Sequence, residues 1–227
     1  MTERETPSVD GLVIGILGGT GDQGRGLARR FALAGHQVII GSRSSERAAA
    51  AAQEIGHGVQ GLANADAASG ASVIIAAVPW EGHGDLLSAL AGELAGKIVV
   101  DCVNPLGFDQ RGAYALPVAE GGPAEGSAAQ QAAALLPGSR VVAAFHHVSA
   151  VLLLDPEVDT IDLDVLVLGD DREATDLVQA LAARIPGVRG IYAGRLRNCG
   201  QIEALTANLV SINRRYKAHA GLRVTDI

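Results

Sequence analysis

The sequence predicts a doubly wound α/β fold, a parallel sheet with helices on both faces that ends in a small helical portion. Two observations carry this. Short runs of Val, Ile and Leu alternate with alanine-rich stretches of helical spacing along the whole chain, the pattern that demands right-handed crossovers and parallel pairing. The runs are also apolar nearly throughout, not at every second residue, as strands covered on both faces must be.

The elements follow in order. Leu12–Leu17 reads as the first strand, leading through a glycine loop to a helix through Leu27, Phe31 and Ala34 that Gly35 stops. Gln37–Gly41 is the next strand, and Ser44 or Ser45 can cap a helix through Ala48–Ile55. A weaker strand near Val59–Leu62, a turn of helix near Asp66–Ala68 and a strong strand over Ser72–Val78 come next. Beyond Pro79 a helix runs to about Ala91, and Lys97–Asp101 is the fifth strand. Residues 104–126, rich in Gly and Pro, read as an irregular loop. Ala128–Leu135 is a helix, Arg140–Phe145 and Leu163–Leu168 are strands, Arg172–Arg184 is a helix and Val188–Tyr192 is an eighth strand. The last helix, Asn198–Ala218, carries Ile202, Leu205, Leu209, Ile212 and Tyr216 on one face, a stripe that fits either a homodimer or docking on the chain's own sheet.

Composition bounds the function. The 227 residues are 48% hydrophobic and 19% charged, as a globular chain should be, and the net charge of −7 argues against a general nucleic-acid binder. The apolar runs are too short to cross a bilayer, so no membrane partner is expected. Met1–Asp10 has no apolar core of a signal peptide and reads as a disordered tail. Cys102 and Cys199 form no metal-ligand spacing and read as buried fillers in a reduced, cytoplasmic protein. Charge is lopsided: residues 1–183 hold 10 basic and 23 acidic side chains, residues 184–227 hold 8 and 2. That cationic end is either a solvated helix face or a surface for an anionic small ligand.

The main chemical signal is Gly19-Thr20-Gly21-Asp22-Gln23-Gly24. A GxGxxG run between a strand and a helix is the Rossmann-type dinucleotide fingerprint: glycines permit the tight turn, the approach of backbone N–H groups to a pyrophosphate, and close helix packing. The phosphates then lie at the positive end of the helix. The same stretch has the glycine spacing of short-chain dehydrogenases, but no Tyr here has the Lys four residues later that their chemistry needs. At the end of the second strand an NAD site would place an acid; here Gly41 leaves room, and Ser42, Arg43 and Arg47, the last four residues along the same helix face from Arg43, stand there instead, a set suited to the 2′-phosphate of NADP(H).

With Gly41-Ser42-Arg43 and Val78-Pro79-Trp80-Glu81 added to the glycine loop, the chain resembles the NADP-dependent oxidoreductases of coenzyme F420, which pass a hydride between NADP(H) and an 8-hydroxy-5-deazaflavin. The resemblance runs over essentially the whole chain. It implies that Gly19, Thr20, Gly21, Asp22, Gln23 and Gly24 hold the phosphates, with Thr20, Ser42, Arg43 and Arg47 around the 2′-phosphate. Trp80 would lie by the ribose and nicotinamide, Asn104 and Ala150 would touch the nicotinamide half, and Leu222 would close the site. His146 and Val148 would face the deazaflavin, in a stretch, His146-His147-Val148-Ser149, where relatives read His-Thr-Ile-Pro. The implied organisation is an NADP-binding domain over residues 11–155 and a smaller portion over 156–227 that completes the cleft.

Hydride transfer between two ring carbons needs position, and no catalytic acid, nucleophile or metal is expected. Two other readings stand beside this one: another small NADP reductase acting on an imine, a hydroxy acid or a flavin, and an NADP-sensing protein without turnover.

Overall fold

The computed structural model describes residues 6–227. In chain order the elements are β1 (Val13–Leu17), α1 (Asp22–Leu33), β2 (Gln37–Ser42), α2 (Ser45–Ile55), β3 (Gln60–Ala63), α3 (Asn64–Gly70), β4 (Val73–Ala76), α4 (His83–Ala89), α5 (Ala91–Leu94) and β5 (Ile98–Asp101). They continue with β6 (Leu106–Asp109), β7 (Gly112–Ala115), α6 (Ala128–Leu135), β8 (Arg140–Ala143), α7 (Ala150–Leu154), β9 (Leu163–Gly169), α8 (Arg172–Ala182), β10 (Val188–Gly194) and α9 (Cys199–Tyr216).

One eight-stranded sheet orders them β10-β9-β8-β5-β4-β1-β2-β3. Strands β3 to β8 in that order run parallel, and the order reverses at β1, whose neighbours are β2 and β4. That reversal is the switch point where doubly wound sheets bind ligands. Pairing also sets a row: Gly41 opposite Leu17, Leu17 opposite Ala76, Ala76 opposite Asp101, and Asp101 opposite Ala143. Every functional segment leaves the sheet just beyond that row. Apolar residues on the two faces feed two cores, one around Ile16, Phe31, Val100 and Phe145, the other around Leu17, Ile74, Leu87 and Val99.

The structure corrects several expectations. The sheet is not wholly parallel, because β9 runs antiparallel to β8. The connection between them, residues 144–162, holds only the five-residue α7 and no crossover helix of the kind that joins parallel strands. The stretch 104–126 is not all irregular: β6 and β7 pair as a hairpin. Its turn is closed by the Asp109 carboxylate, which accepts from the N–H groups of Arg111 and Gly112, an Asx turn that composition alone hides. The helix expected beyond Pro79 is broken into a 3₁₀ turn, Trp80–Gly82, followed by α4 and α5. Of the tail expected over residues 1–10, residues 1–5 lie outside those described, while Val9 is buried in the core.

The C-terminal segment is fixed to the sheet through one carboxylate. Asp164, fully buried at the start of β9, accepts two bonds from Arg189 at 2.7 Å each, one from Arg223 and one from the Val224 N–H. Its own N–H donates to the Leu222 carbonyl. The hydrogen bonds from Arg189 hold its pKa down at about 2. Asp164→Asn is therefore expected to lower stability by about 1.5–3 kcal/mol, the worth of charge-assisted bonds, and to expose residues 219–227 to proteases; urea unfolding and limited proteolysis measure the two effects.

Candidate active site

The glycine loop is shaped by the protein's own packing at all but one position. A Cβ on Gly18 would meet Val78 at 2.5 Å, one on Gly19 would meet Ile40 at 2.6 Å, and one on Gly24 would meet the Gly19 Cα at 2.7 Å. Gly18 also takes φ of 71°, a left-handed turn that other residues adopt at a cost. At Gly21 a Cβ would touch only the Gly18 carbonyl, at 3.7 Å. The space in front of Gly21 is thus open, and it lies at the N-terminus of α1, where no side chain caps the helix. Among the described residues nothing accepts from the N–H groups of Thr20, Asp22 and Gln23. Unpaired donors at the positive end of a helix form an anion cradle, and they fit a pyrophosphate.

Ser42 and Arg43 follow β2. Ser44 caps α2, its hydroxyl accepting from the Arg47 N–H at 3.2 Å, so Arg43 precedes the helix and does not share a face with Arg47 as expected. Both guanidinium groups are exposed, and among the described residues neither has a carboxylate within ion-pairing distance. Ser42 is nearly buried, its hydroxyl accepting from the Ser44 N–H. Gly41 is also required by packing, since a Cβ there would meet Asn64 at 2.6 Å.

Across the row, the end of β8 makes a sharp corner. Phe145 takes φ of 63°, and its carbonyl accepts from the Gln23 side-chain amide at 3.2 Å. The next carbonyl, of His146, accepts from Asn104 Nδ2 at 2.8 Å and from the Thr206 hydroxyl, whose oxygen lies also near Asn104 Oδ1. Three elements, α1, the end of β5 and α9, thereby converge on one corner. Helix α7 follows and is seated on α1, where a Cβ on Gly26 would meet Leu153 at 2.6 Å. This brings Ala150 beside the glycine-loop helix.

His146 is buried with neither ring nitrogen bonded. Burial pushes its pKa, and that of His147, down to about 4, so both imidazoles are neutral near pH 7. His147 Nε2 accepts from the Leu166 N–H at 3.4 Å, which also requires the neutral ring. Val148 is 5% exposed and belongs to the core cluster.

Beneath the corner lies a polar cluster that the sequence did not announce. Asp101 lies in the row between Ala76 and Ala143. Its carboxylate meets His83 Nε2 at 2.6 Å with both side chains fully buried, while its other oxygen accepts from the Val103 N–H. Burial alone would lower the His83 pKa, but the hydrogen bond and charge of Asp101 outweigh it and the net shift is upward. Gln131 meets the other ring nitrogen at 3.0 Å. Glu203 of α9 caps α6, accepting from the Ala128 and Ala129 N–H groups, and desolvation pushes its pKa up to about 7. The spacing of His83 after a Pro-Trp turn was the one available hint.

The sequence profile of the family described as "NADP oxidoreductase coenzyme F420-dependent" matches residues 13–105. The F420-dependent NADP reductase of Methanothermobacter marburgensis is 40% identical over 226 residues, covering 95% of this chain and 99% of that protein. The chain belongs to this reductase family. A solved structure from Arthrobacter sp. FB24, assigned as an F420-dependent NADP reductase, superposes with a TM-score of 0.81 at 28% identity, over 95% of this chain and all of that one. An imine reductase from Streptomyces aurantiacus, 20% identical with a TM-score of 0.59, shares the fold.

In this member of the reductase family the segments of Gly19–Gly24, Ser42–Arg47, Trp80, Asn104 and His146–Ala150 all follow the carboxyl ends of adjacent strands. Gln23 and Trp80 also serve structural bonds: the Trp80 indole N–H donates to the Gly121 carbonyl at 2.8 Å, tying the loop after the hairpin to β4. Leu222 lies along the start of β9. Among the described residues no three His, Cys, Asp or Glu side chains gather as a metal site, and burial pushes the thiols of Cys102 and Cys199 up, away from nucleophilic use.

Two outcomes follow from this geometry. Gly21→Val should fold normally yet lose NADPH affinity by about a hundredfold or more, ~2.7 kcal/mol, whereas Gly24→Ala should lower the melting temperature; calorimetry and thermal unfolding separate them. The unfolded chain protonates His146 and His147 near their ordinary pKa, which the fold resists until about pH 4. Glu203, protonated in the fold below about 7, opposes with one proton. Stability should therefore fall as pH drops from about 6.5 toward 4.5, and the decline of the urea midpoint should flatten in His147→Gln.

Proposed function

We propose that this protein transfers a hydride between NADP(H) and the 8-hydroxy-5-deazaflavin coenzyme F420. The observation that carries this reading is the convergence, along one row of the sheet, of the uncapped α1 terminus with the corner at His146. Asn104 and Ala150, beside the buried imidazole of His146, would hold the nicotinamide half of a dinucleotide whose phosphates lie at Gly21. The relatives named as F420-dependent NADP reductases at 40% identity support the same activity.

The nicotinamide supplies or accepts the hydride at its ring, and the chain's own groups prepare that exchange. The N–H groups of Thr20, Asp22 and Gln23 hold the pyrophosphate, with Gly19 and Gly24 shaping the loop. Ser42, Arg43 and Arg47, with Thr20, take the 2′-phosphate. Asn104, fixed by its bond to the His146 carbonyl, orients the nicotinamide half. His146 and Val148 form the deazaflavin wall, and the neutral His146 N–H is free to donate to a ring carbonyl. Trp80 and Leu222 bound the cleft. Holding two reactants in contact can supply roughly 7–11 kcal/mol of the barrier without any proton transfer to carbon. The exposed Ile212 and Tyr216 at the end of α9, beyond the buried Leu209, support a homodimer through that stripe.

The direct test mixes NADPH, coenzyme F420 and the protein and follows the visible band of the oxidised deazaflavin. Its loss is the expected result; reduction of imines alone, or binding without turnover, would overturn the reading. The cofactor assignment has a test of its own. Arg43→Ala removes a charge-assisted bond worth about 1.5–3 kcal/mol, so KM for NADPH should rise roughly ten- to a hundredfold, and Ser42→Ala should raise it less. NADH lacks the 2′-phosphate and should be affected by neither, while kcat at saturating NADPH holds. Equal losses with both cofactors would make Arg43 structural.

A further inference from the structure

Trp80 and Asn104 leave the sheet from two neighbouring strands, β4 and β5, and both rest on the same buried pair. Trp80 opens the 3₁₀ turn after β4, and three residues on, at the start of α4, the His83 ring lies against its indole, with centroids 5.6 Å apart and planes inclined at 30°. His83 Nε2 meets the Asp101 carboxylate at 2.6 Å, and neither side chain has any exposed surface. The second Asp101 oxygen accepts from the Val103 N–H at 3.0 Å. The next residue is Asn104, whose amide donates to the His146 carbonyl. One pair thus reaches Trp80 through a ring contact and Asn104 through the backbone.

The hydrogen bonds also define the charge of the pair. On its far side the His83 ring meets the Gln131 side-chain oxygen, Nδ1 to Oε1, at 3.0 Å. A carboxylate and an amide oxygen can only accept, so both ring nitrogens donate and His83 is an imidazolium. Desolvation pulls its pKa down, but the hydrogen bond and charge of Asp101 and the contact with Gln131 raise it by more. Glu203 of α9 also faces the pair and, once ionised above about pH 7, holds the His83 proton more firmly. Cys102, Cys199 and His146 face Asp101 too, and burial keeps all three uncharged near pH 7. A cation within about 6 Å of an indole is attracted to it. Yet two buried charges are costly to desolvate, and apolar residues of similar volume would serve stability as well. Stability alone therefore gives no reason for the pair.

We propose that His83 and Asp101 are positioning residues for hydride transfer, a buried ion pair that fixes Trp80 and Asn104 relative to each other on the nicotinamide side of the cleft. The proposal rests on the hydride-transfer reading above and deepens it. Neither residue touches a reactant; His83 acts through the indole and Asp101 through the Val103 N–H. The glycine loop and the arginines after β2 hold the phosphates independently, so loss of the pair shows in the rate and not in phosphate affinity.

The test has two readouts. Trp80 is the one tryptophan of the sequence, and a protonated imidazole against an indole quenches its fluorescence. Native emission should stay low through pH ~7 and rise only above it. In Asp101→Asn, which keeps an acceptor for the Val103 N–H but removes the counter-charge, the rise should come below about pH 6.5. The second readout is the hydride-transfer rate in a single turnover with saturating NADPH and coenzyme F420. His83→Met/Asp101→Val should lower it about tenfold or more, and Asp101→Asn should retain most of it. The affinity of both variants for 2′-phospho-ADP-ribose, which has the phosphates and no nicotinamide, should stay within about twofold of native. Should the double variant fail to fold, His83→Gln, which keeps a donor toward Asp101 and takes away the ring against Trp80, carries the same comparison. A native emission curve like that of an ordinary imidazole, a rate unchanged without the pair, or a rate and fragment affinity lost together would overturn the positioning role and leave the function standing. No turnover of the coenzyme by the native protein would overturn the function and this role with it.

Discussion

The left-handed turn at Phe145 is the constraint on which the rest of the site depends. A non-glycine residue at φ of 63° costs of order 1–3 kcal/mol and persists only where its surroundings over-determine it. Here they do. The Phe145 ring is fully buried and meets Phe31 of α1 edge-on, with centroids 6.0 Å apart, and its carbonyl takes the Gln23 amide. Without that turn β8 would continue past the row; with it, the chain doubles back, His146 is thrust inward, and α7 comes to rest on α1.

Two different kinds of group line the two ends of the cleft. At the glycine-loop end the donors are backbone N–H groups, whose direction is set by the helix and whose access depends on one glycine, Gly21. At the other end they are side chains that hold one another: Asn104, Thr206 and the His146 carbonyl form a closed set, and Asp101 anchors the Val103 N–H one residue before Asn104. The His83–Asp101 pair beneath is buried completely, and removing one member of such a pair leaves an uncompensated charge. The place of Asp101 at the end of β5, three residues before Asn104, makes the pair a support for Asn104, acting through the backbone.

What was legible in the sequence was what repeats locally. The strands, the glycine loop and the Ser42-Arg43 pair are contiguous runs whose chemistry follows from spacing, and Ser44, one of the two serines read as a cap, does cap α2. What was hidden is what only the sheet register assembles. Asp101 found its partner 18 residues back, in His83, because α4 returns over β5. Glu203 reads as one polar residue of an amphipathic helix, yet it caps α6 from 75 residues away. The hairpin was lost because its glycines and prolines imitate a loop, although Asp109 and Gly112 encode its turn. Gly41 was noticed in the sequence, but the packing that requires it, against Asn64 of α3, is visible only in the fold.

The distribution of charge follows the same division. Exposed arginines, Arg43 and Arg47, stand where the 2′-phosphate of the proposed cofactor would lie, and among the described residues neither has a carboxylate neighbour. Where the rings would meet, the buried groups are neutral: His146 and His147 hold no proton near pH 7, and the buried Asp101 is balanced by an imidazole that the carboxylate keeps charged more readily than usual. A fixed charge beside the rings would favour one of the two redox states of each ring over the other. Burying neutral imidazoles there, at the expense of acid stability, leaves the exchange governed by the distance and orientation that the Phe145 corner imposes.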